Sequence, residues 1–177
     1  MKRIAISTAV VAALAMASSA GQAASFYDGK TVRIVVPSGS GGTYHLYCQI
    51  LSRHLGRHLG NGTKVVTQNM PGAGGVKAAR YMLNAAPKDG SYIAMINPGS
   101  IALPGLRKDV GFDTIKLNWL GSMSGRAYSV GVRSDSGISN VEDAKKREVI
   151  MGTTGKASTS YLIPAFMNKT VGTKFRI

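Results

Sequence analysis

The chain has 177 residues, with 22 Lys and Arg against 8 Asp and Glu, a formal charge of +14, and a single cysteine, Cys48. One cysteine excludes an intramolecular disulfide, so stability must come from packing, and eight acidic residues leave little material for a paired-carboxylate acid/base mechanism. The charge favours anionic partners, yet the cations (Arg53, Arg57, Lys77, Arg80, Arg107, Lys108, Lys145, Lys146, Arg147) are scattered as solvated faces rather than gathered in the dense basic stripe of a nucleic-acid binder.

Residues 1–3 are a short basic segment, residues 4–17 are apolar apart from Ser7 and Thr8, and residues 18–24 are rich in small side chains. This reads as a secretory signal peptide over residues 1–23, with Gly21-Gln22-Ala23 as a small-x-small cleavage site and a mature chain starting near Ala24. The apolar run falls short of the roughly 20 residues that span a bilayer, and nothing caps it as a buried N-terminal helix. Loss of Lys2 and Arg3 lowers the charge from +14 to +12, still strongly basic.

Strand-like and helix-like periods then alternate, the pattern of an α/β protein with a mostly parallel sheet. Residues 31–36 are a first strand. After a glycine-rich turn, Leu46, Ile50, Leu51, Leu55 and Leu59 predict an amphipathic helix that stops at Gly60-Asn61-Gly62, with Cys48 on its inner side as a core residue. Residues 64–69 are a second strand, residues 71–75 a second glycine turn, and residues 76–86 a second helix offering Met82 and Leu83 to the core. A turn at residues 87–90 leads to a third strand at 91–97, the turn Pro98-Gly99-Ser100, and a short apolar segment to Leu106. After a polar stretch, residues 119–122 and 128–132 resume the strand-helix rhythm, and a second lobe starts near there. Ser139 and Glu142 fit a capping box for a helix through Lys146. Residues 148–152 read as a strand, 153–160 as a polar turn, 161–168 as a helix that tolerates Pro164 only in its first turn, and 174–177 as another strand.

Four strands are thus each followed by a turn of small residues: 38–43, 71–75, 98–100 and 153–159. The first is the most telling, because glycines admit close approach of a ligand and the leading amides of the following helix have no partner within it. A carboxylate or phosphate suits that position. Singly, each turn is ordinary; in register, they lie where open parallel sheets bind ligands, beyond the carboxyl ends of the strands.

Most enzyme chemistries fail on residue types. No GxSxG elbow occurs, the segment around Lys156 lacks the elements of a P-loop, and Tyr44 stands where a dinucleotide fingerprint needs its last glycine. His54 and His58 share a helix face but lack further ligands for a metal. Asp28 and Asp89 sit in turns as backbone-shaping residues. A hydrolase or transferase using His45 with Ser38 or Ser40 stays open without a nameable third partner, as does a basic adaptor for polyanions.

The segments TVRIVVP, GGTYHLYCQILSRHLGRHL, VVTQNMPGAGG, APKDG and GFDTIKLNWLGSM, with the turn at 152–159, resemble the periplasmic solute-binding receptors of tripartite tricarboxylate transporters, the Bug receptors. The resemblance covers essentially all of the chain after the signal peptide. It implies a two-lobed Venus-flytrap fold, with a first lobe at 24–122 and a partial second lobe at 123–177. It also implies a periplasmic location, capture of a small carboxylate without chemistry, delivery to membrane permease subunits, no cofactor or metal, no nucleic acid, and a monomer when complete. The carboxylate-binding positions carried over are Ser38, Gly41, Gly42, Thr43, Asn69, Ala73, Gly74, Asn97, Ser100, Gly155, Ser158 and Thr159. Two departures stand out: relatives commonly read YDxYAR where this chain reads YHLYCQ, so His45 replaces the acid and Gln49 the arginine. That either tunes the pocket toward a more anionic ligand or pH dependence, or removes a structural ion pair. Family members are also considerably longer and the chain stops as a strand begins, so it reads as truncated at the C-terminus, with a non-functional fragment of the receptor as an alternative reading, and a chain complete only in its first lobe is expected to expose apolar surface.

Overall fold

The computed structural model describes residues 26–125 and 127–177; the predicted signal peptide lies outside the described residues. Its elements are β1 (Thr31–Val36), α1 (Thr43–Leu59), β2 (Lys64–Asn69), α2 (Val76–Asn84), β3 (Tyr92–Ala94), α3 (Pro98–Leu106), α4 (Val141–Lys146), β4 (Val149–Ile150), α5 (Thr159–Thr170) and β5 (Phe175–Arg176). The first three strands form one parallel sheet in the order β2-β1-β3, and the last two form a second parallel pair. The α/β class and parallel pairing therefore follow the sequence reading.

β1 is central because its apolar run suits a strand flanked on both edges and covered on its faces. Val32, Ile34, Val35 and Val36 are all buried, each such side chain contributing roughly 1.5–3 kcal/mol on burial. Ile34, Val36 and Cys48 form the main core with Tyr44, Leu51, Val65, Ile93 and Met95 around it. A second cluster joins Val76, Leu103, Val110 and Ala157, and a third joins Ala144, Val149 and Phe175. The second of these bridges the two sheets, since Ala157 belongs to the turn after β4.

Several expectations need correction. On α1 the inner face is Tyr44, Cys48 and Leu51, while Leu46 and Ile50 are 59% and 45% exposed. Two stripes at helical spacing compete there, and the one carrying Cys48 faces the sheet. On α2, Val76, Ala78 and Ala79 are buried and Met82 and Leu83 only half-buried, because small residues let the helix sit close to the sheet. The third strand is shorter than predicted, and Pro98-Gly99-Ser100 is the first turn of α3 rather than a free turn. Pro98 opens the helix, where its missing N–H costs nothing, and the Asn97 side chain accepts from Gly99 N–H at 2.9 Å as the cap. Residues 119–122 and 128–132 form no strand; Trp119, Leu120, Tyr128, Val130 and Val132 are exposed there. Their apolar content signalled burial, but among the described residues no strand pairs with them.

In α4 the cap is Asn140, one residue beyond the expected Ser139: its side chain accepts from Asp143 N–H at 3.1 Å, and Asp143 accepts from Ser139 N–H at 3.0 Å. Pro164 lies inside α5, which starts at Thr159 rather than 161, so it stands beyond the first turn and is buried. Asp28 and Asp89 do shape turns, accepting from Asn61 N–H at 2.7 Å and from Ser91 N–H at 3.0 Å.

Candidate functional site

The predicted residues fall into two groups. Ser38, Gly41, Gly42 and Thr43 lie in the turn between β1 and α1, and Asn69 ties that turn down by donating its amide to the Ser38 carbonyl at 2.8 Å. Gly41 and Thr43 are exposed. Gly42 precedes α1 without a side-chain cap, and no acidic residue occupies the first turn, so the positive end of the helix dipole is left uncompensated. The same is true of α2 behind Gly75 and of α5 behind Ser158.

The second group joins the two sheets. Ala73, Gly74, Asn97, Ser100, Gly155, Ser158 and Thr159 meet where the turns after β2 and β3 abut the turn after β4. The contact is backbone against backbone. A Cβ on Gly74 would stand 2.7 Å from Ser158 N, one on Gly155 2.9 Å from Gly74 N, and one on Gly99 2.3 Å from the Ala157 carbonyl oxygen. Gly74 and Gly155 also have φ of +65° and +136°, which side-chain-bearing residues rarely adopt. Ala73 itself has φ +47°, a conformation that costs about 1 kcal/mol or more outside glycine.

Hydroxyls and amides hold these turns. Ser100 is fully buried and donates to the Gly74 carbonyl at 3.1 Å; Ser158, also buried, donates to the Gly155 carbonyl at 2.8 Å. Ser158 further shares a cluster with Ser160 at 2.6 Å and Thr153 at 3.2 Å. Sequence reading did not single out Thr153 and Ser160; their spacing with Ser158 in a Ser/Thr-rich turn was the available signal.

Beside the junction lies a cavity of about 240 Å³ with an apolar floor of Val76, Leu103, Val110 and Ala157. Arg80, Arg107, Asp109 and Lys156 also line it, and of the predicted residues Ala73 alone reaches it. Arg107 pairs with Asp109 at 2.5 Å, and that hydrogen-bonded guanidinium holds the Asp109 carboxyl below its ordinary range. Arg80 donates to the Val110 carbonyl at 2.7 Å. Two cations, on Arg80 and Lys156, thus remain in surplus. Read from sequence as a solvated face, Arg80 and Arg107 gain their place from the packing of α2 against the residues following α3.

His45 is not brought to a serine. Its Nε2 lies 3.3 Å from the Gln49 amide nitrogen, Gln49 donates onward to Thr67 at 3.3 Å, and the buried Nδ1 has no hydrogen-bond partner among the described residues. The two departures in the YHLYCQ segment therefore contact each other. His54 accepts from Arg57 at 2.7 Å, and among the described residues no group of three or more His, Cys, Asp or Glu is arranged to hold a metal ion. Cys48 is fully buried, and burial pushes its thiol up to about 11.

Residues 48–176 match the model of the tripartite tricarboxylate transporter family receptor. The chain belongs to this receptor family. A UPF0065 protein of Bordetella bronchiseptica is 29% identical over 91% of this chain and 49% of its own length, and one of Cupriavidus necator is 29% identical over 87% and 48%. The chain thus spans about half the length of these relatives. A periplasmic transporter structure superposes with a TM-score of 0.59 at 20% identity, covering 84% of this chain and 52% of the other. An R. palustris protein solved with adipate gives 0.57 at 20% identity over 82% and 50%, and the periplasmic binding protein BugD gives 0.57 at 22% over 84% and 51%. The fold of this receptor chain is accordingly that of a periplasmic binding protein.

Proposed function

We propose that this receptor chain captures a small carboxylate in the periplasm, without altering it, and presents it to the membrane permease of a tripartite transporter. Residues 24–122 act as the first lobe and residues 123–177 as part of the second. The junction of turns from both sheets carries the reading: Gly74, Gly99 and Gly155 allow the lobes to close backbone to backbone beside a cavity with surplus positive charge. Three helix N-termini without compensating acids add to the attraction for an anion. Adipate, found with one structural neighbour, carries two carboxylates and is the kind of solute such a junction fits.

The test is thermal unfolding of the mature chain with a panel of mono-, di- and tricarboxylates at several salt concentrations. A carboxylate at about a hundred times its dissociation constant stabilises by roughly 2.7 kcal/mol. The expected outcome is a shift confined to some carboxylates and retained at high salt. Stabilisation by any polyanion that disappears with salt would instead support a basic adaptor, the reading favoured by the +14 charge.

A further inference from the structure

The cavity beside the junction is amphipathic in a way the turns are not. Its floor is the buried cluster of Val76, Leu103, Val110 and Ala157, backed by Phe112. Its rim carries three cations, on Arg80, Arg107 and Lys156, against the one carboxylate of Asp109. Arg107 answers that carboxylate with both arms of its guanidinium, Nε to Oδ1 at 3.0 Å and Nη2 to Oδ2 at 2.5 Å. Among the described residues no carboxylate lies within ion-pair distance of Arg80 or Lys156. Arg80 is nonetheless held in place: its Nε donates to the Val110 carbonyl at 2.7 Å, and its Nη2 lies 3.4 Å from where a Cβ on Gly111 would stand. The walls come from both sheets, with Arg80 on α2, Arg107 just after α3, and Lys156 and Ala157 in the turn after β4.

We propose that this cavity is a second binding site, for a monocarboxylate with a compact apolar body, one ring or a short branched chain. Each half of that ligand follows from one half of the cavity. Two uncompensated positive charges draw an anion, and a planar carboxylate suits the fork of an arginine. The apolar floor offers nothing to inorganic phosphate or a hydroxylated tricarboxylate, whose oxygens would lose water there without a partner. Hydrocarbon laid on the same floor is removed from water and gains by it. At about 240 Å³ the cavity lies below the roughly 300–1,000 Å³ of sites for drug-sized ligands, which limits the body to a single small group. The site goes beyond solute capture at the turns, since of the residues assigned to that capture Ala73 alone reaches the cavity. A ligand here touches both units, ties the turn after β4 to α2 and α3, and so favours the closed junction.

The experiment titrates the isotope-labelled chain, purified from a bacterial periplasm, with benzoate, benzyl alcohol and inorganic phosphate, following backbone amides by NMR. Benzoate is expected to shift amides of residues 76–80, 107–111 and 156–157, and to bind at least tenfold more tightly than the other two, which each carry half of the chemistry. Lys156→Gln is expected to weaken benzoate about tenfold, the worth of one charge-assisted hydrogen bond. Lys156 is exposed, so this variant reports binding even if Arg80→Gln, which also loses the bond to Val110, fails to fold. Absence of benzoate shifts at 76–80 and 107–111 would overturn the proposal, as would shifts confined to 38–43. Phosphate binding as tightly as benzoate, or benzoate affinity unchanged in Lys156→Gln, would overturn it too. The carboxylate panel keeps the two sites apart. A panel member that shifts 38–43 in both the native chain and Lys156→Gln upholds capture at the turns whatever benzoate does, and a panel silent at 38–43 removes that reading while leaving this one standing.

Discussion

At the scale of single residues, the junction depends on absent side chains more than on present ones. Gly99→Ala would put a methyl group 2.3 Å from the Ala157 carbonyl oxygen and 2.9 Å from Thr159 N, both backbone atoms that cannot swing aside. The expected cost is about 1–3 kcal/mol, as for other overpacked sites, with faster proteolysis between residues 118 and 140 as the turns separate. Gly39→Ala, where a Cβ meets nothing within 4 Å, is expected to change stability by less than about 0.5 kcal/mol. Thermal melts of the two variants check the pair; equal effects would refute the close packing. Cys48 offers a separate reading of burial. Its thiol is pushed up to about 11 when folded against an ordinary 9.0, so below pH 9 both states hold the proton and stability is unaffected. Between pH 9 and 11 the unfolded thiol ionises first, the unfolded state binds fewer protons, and stability falls, by at most roughly 2–3 kcal/mol. Denaturant melts across that window should show this slope in the native chain and lack it in Cys48→Ala. The sequence revealed this residue's burial but not the neighbours on its face, because helical periodicity alone does not say which of two apolar stripes a sheet will cover.

At the scale of elements, the strands that carry the site were the most legible: β1 and β2 begin and end where the pattern of β-branched residues places them. Helix starts were harder, since one-residue shifts of a cap leave the pattern nearly unchanged. α4 illustrates this, with Asn140 rather than Ser139 accepting from Asp143 N–H. Asn140→Ala is expected to destabilise by about 1 kcal/mol and Ser139→Ala by less than half as much, measured by chemical denaturation. The reverse order would restore the capping box read from sequence. The candidate turns were legible as turns, but their division into an open group before α1 and a packed group between the sheets was not. That division depends on which backbones touch, and glycine spacing is silent about its partner. Nor did any local pattern show Arg80 beside Lys156, which lie 76 positions apart and meet through the Val76, Leu103 and Ala157 cluster.

Across the whole molecule, stability should be graded along the chain. β1 is paired on both edges with Val35 and Val36 fully buried, whereas β4 and β5 form a two-residue ladder, and two-stranded sheets are marginal alone. What holds the second sheet is its own small core around Ala144, Val149 and Phe175 and the seat of its turn on Gly74 and Gly99. Native-state hydrogen exchange is therefore expected to be at least tenfold faster in β4 and β5 than in β1, since local opening there exposes little apolar surface. A carboxylate bound at the junction joins the two units, so it should slow exchange in both 73–75 and 153–159 while leaving β2 nearly unchanged. A polyanion spread over the basic faces has no reason to protect those two turns together. Coupled protection of turns more than 70 positions apart would thus mark lobe closure on a solute, and protection scattered over Arg53, Arg57 and Lys77 would mark surface electrostatics instead.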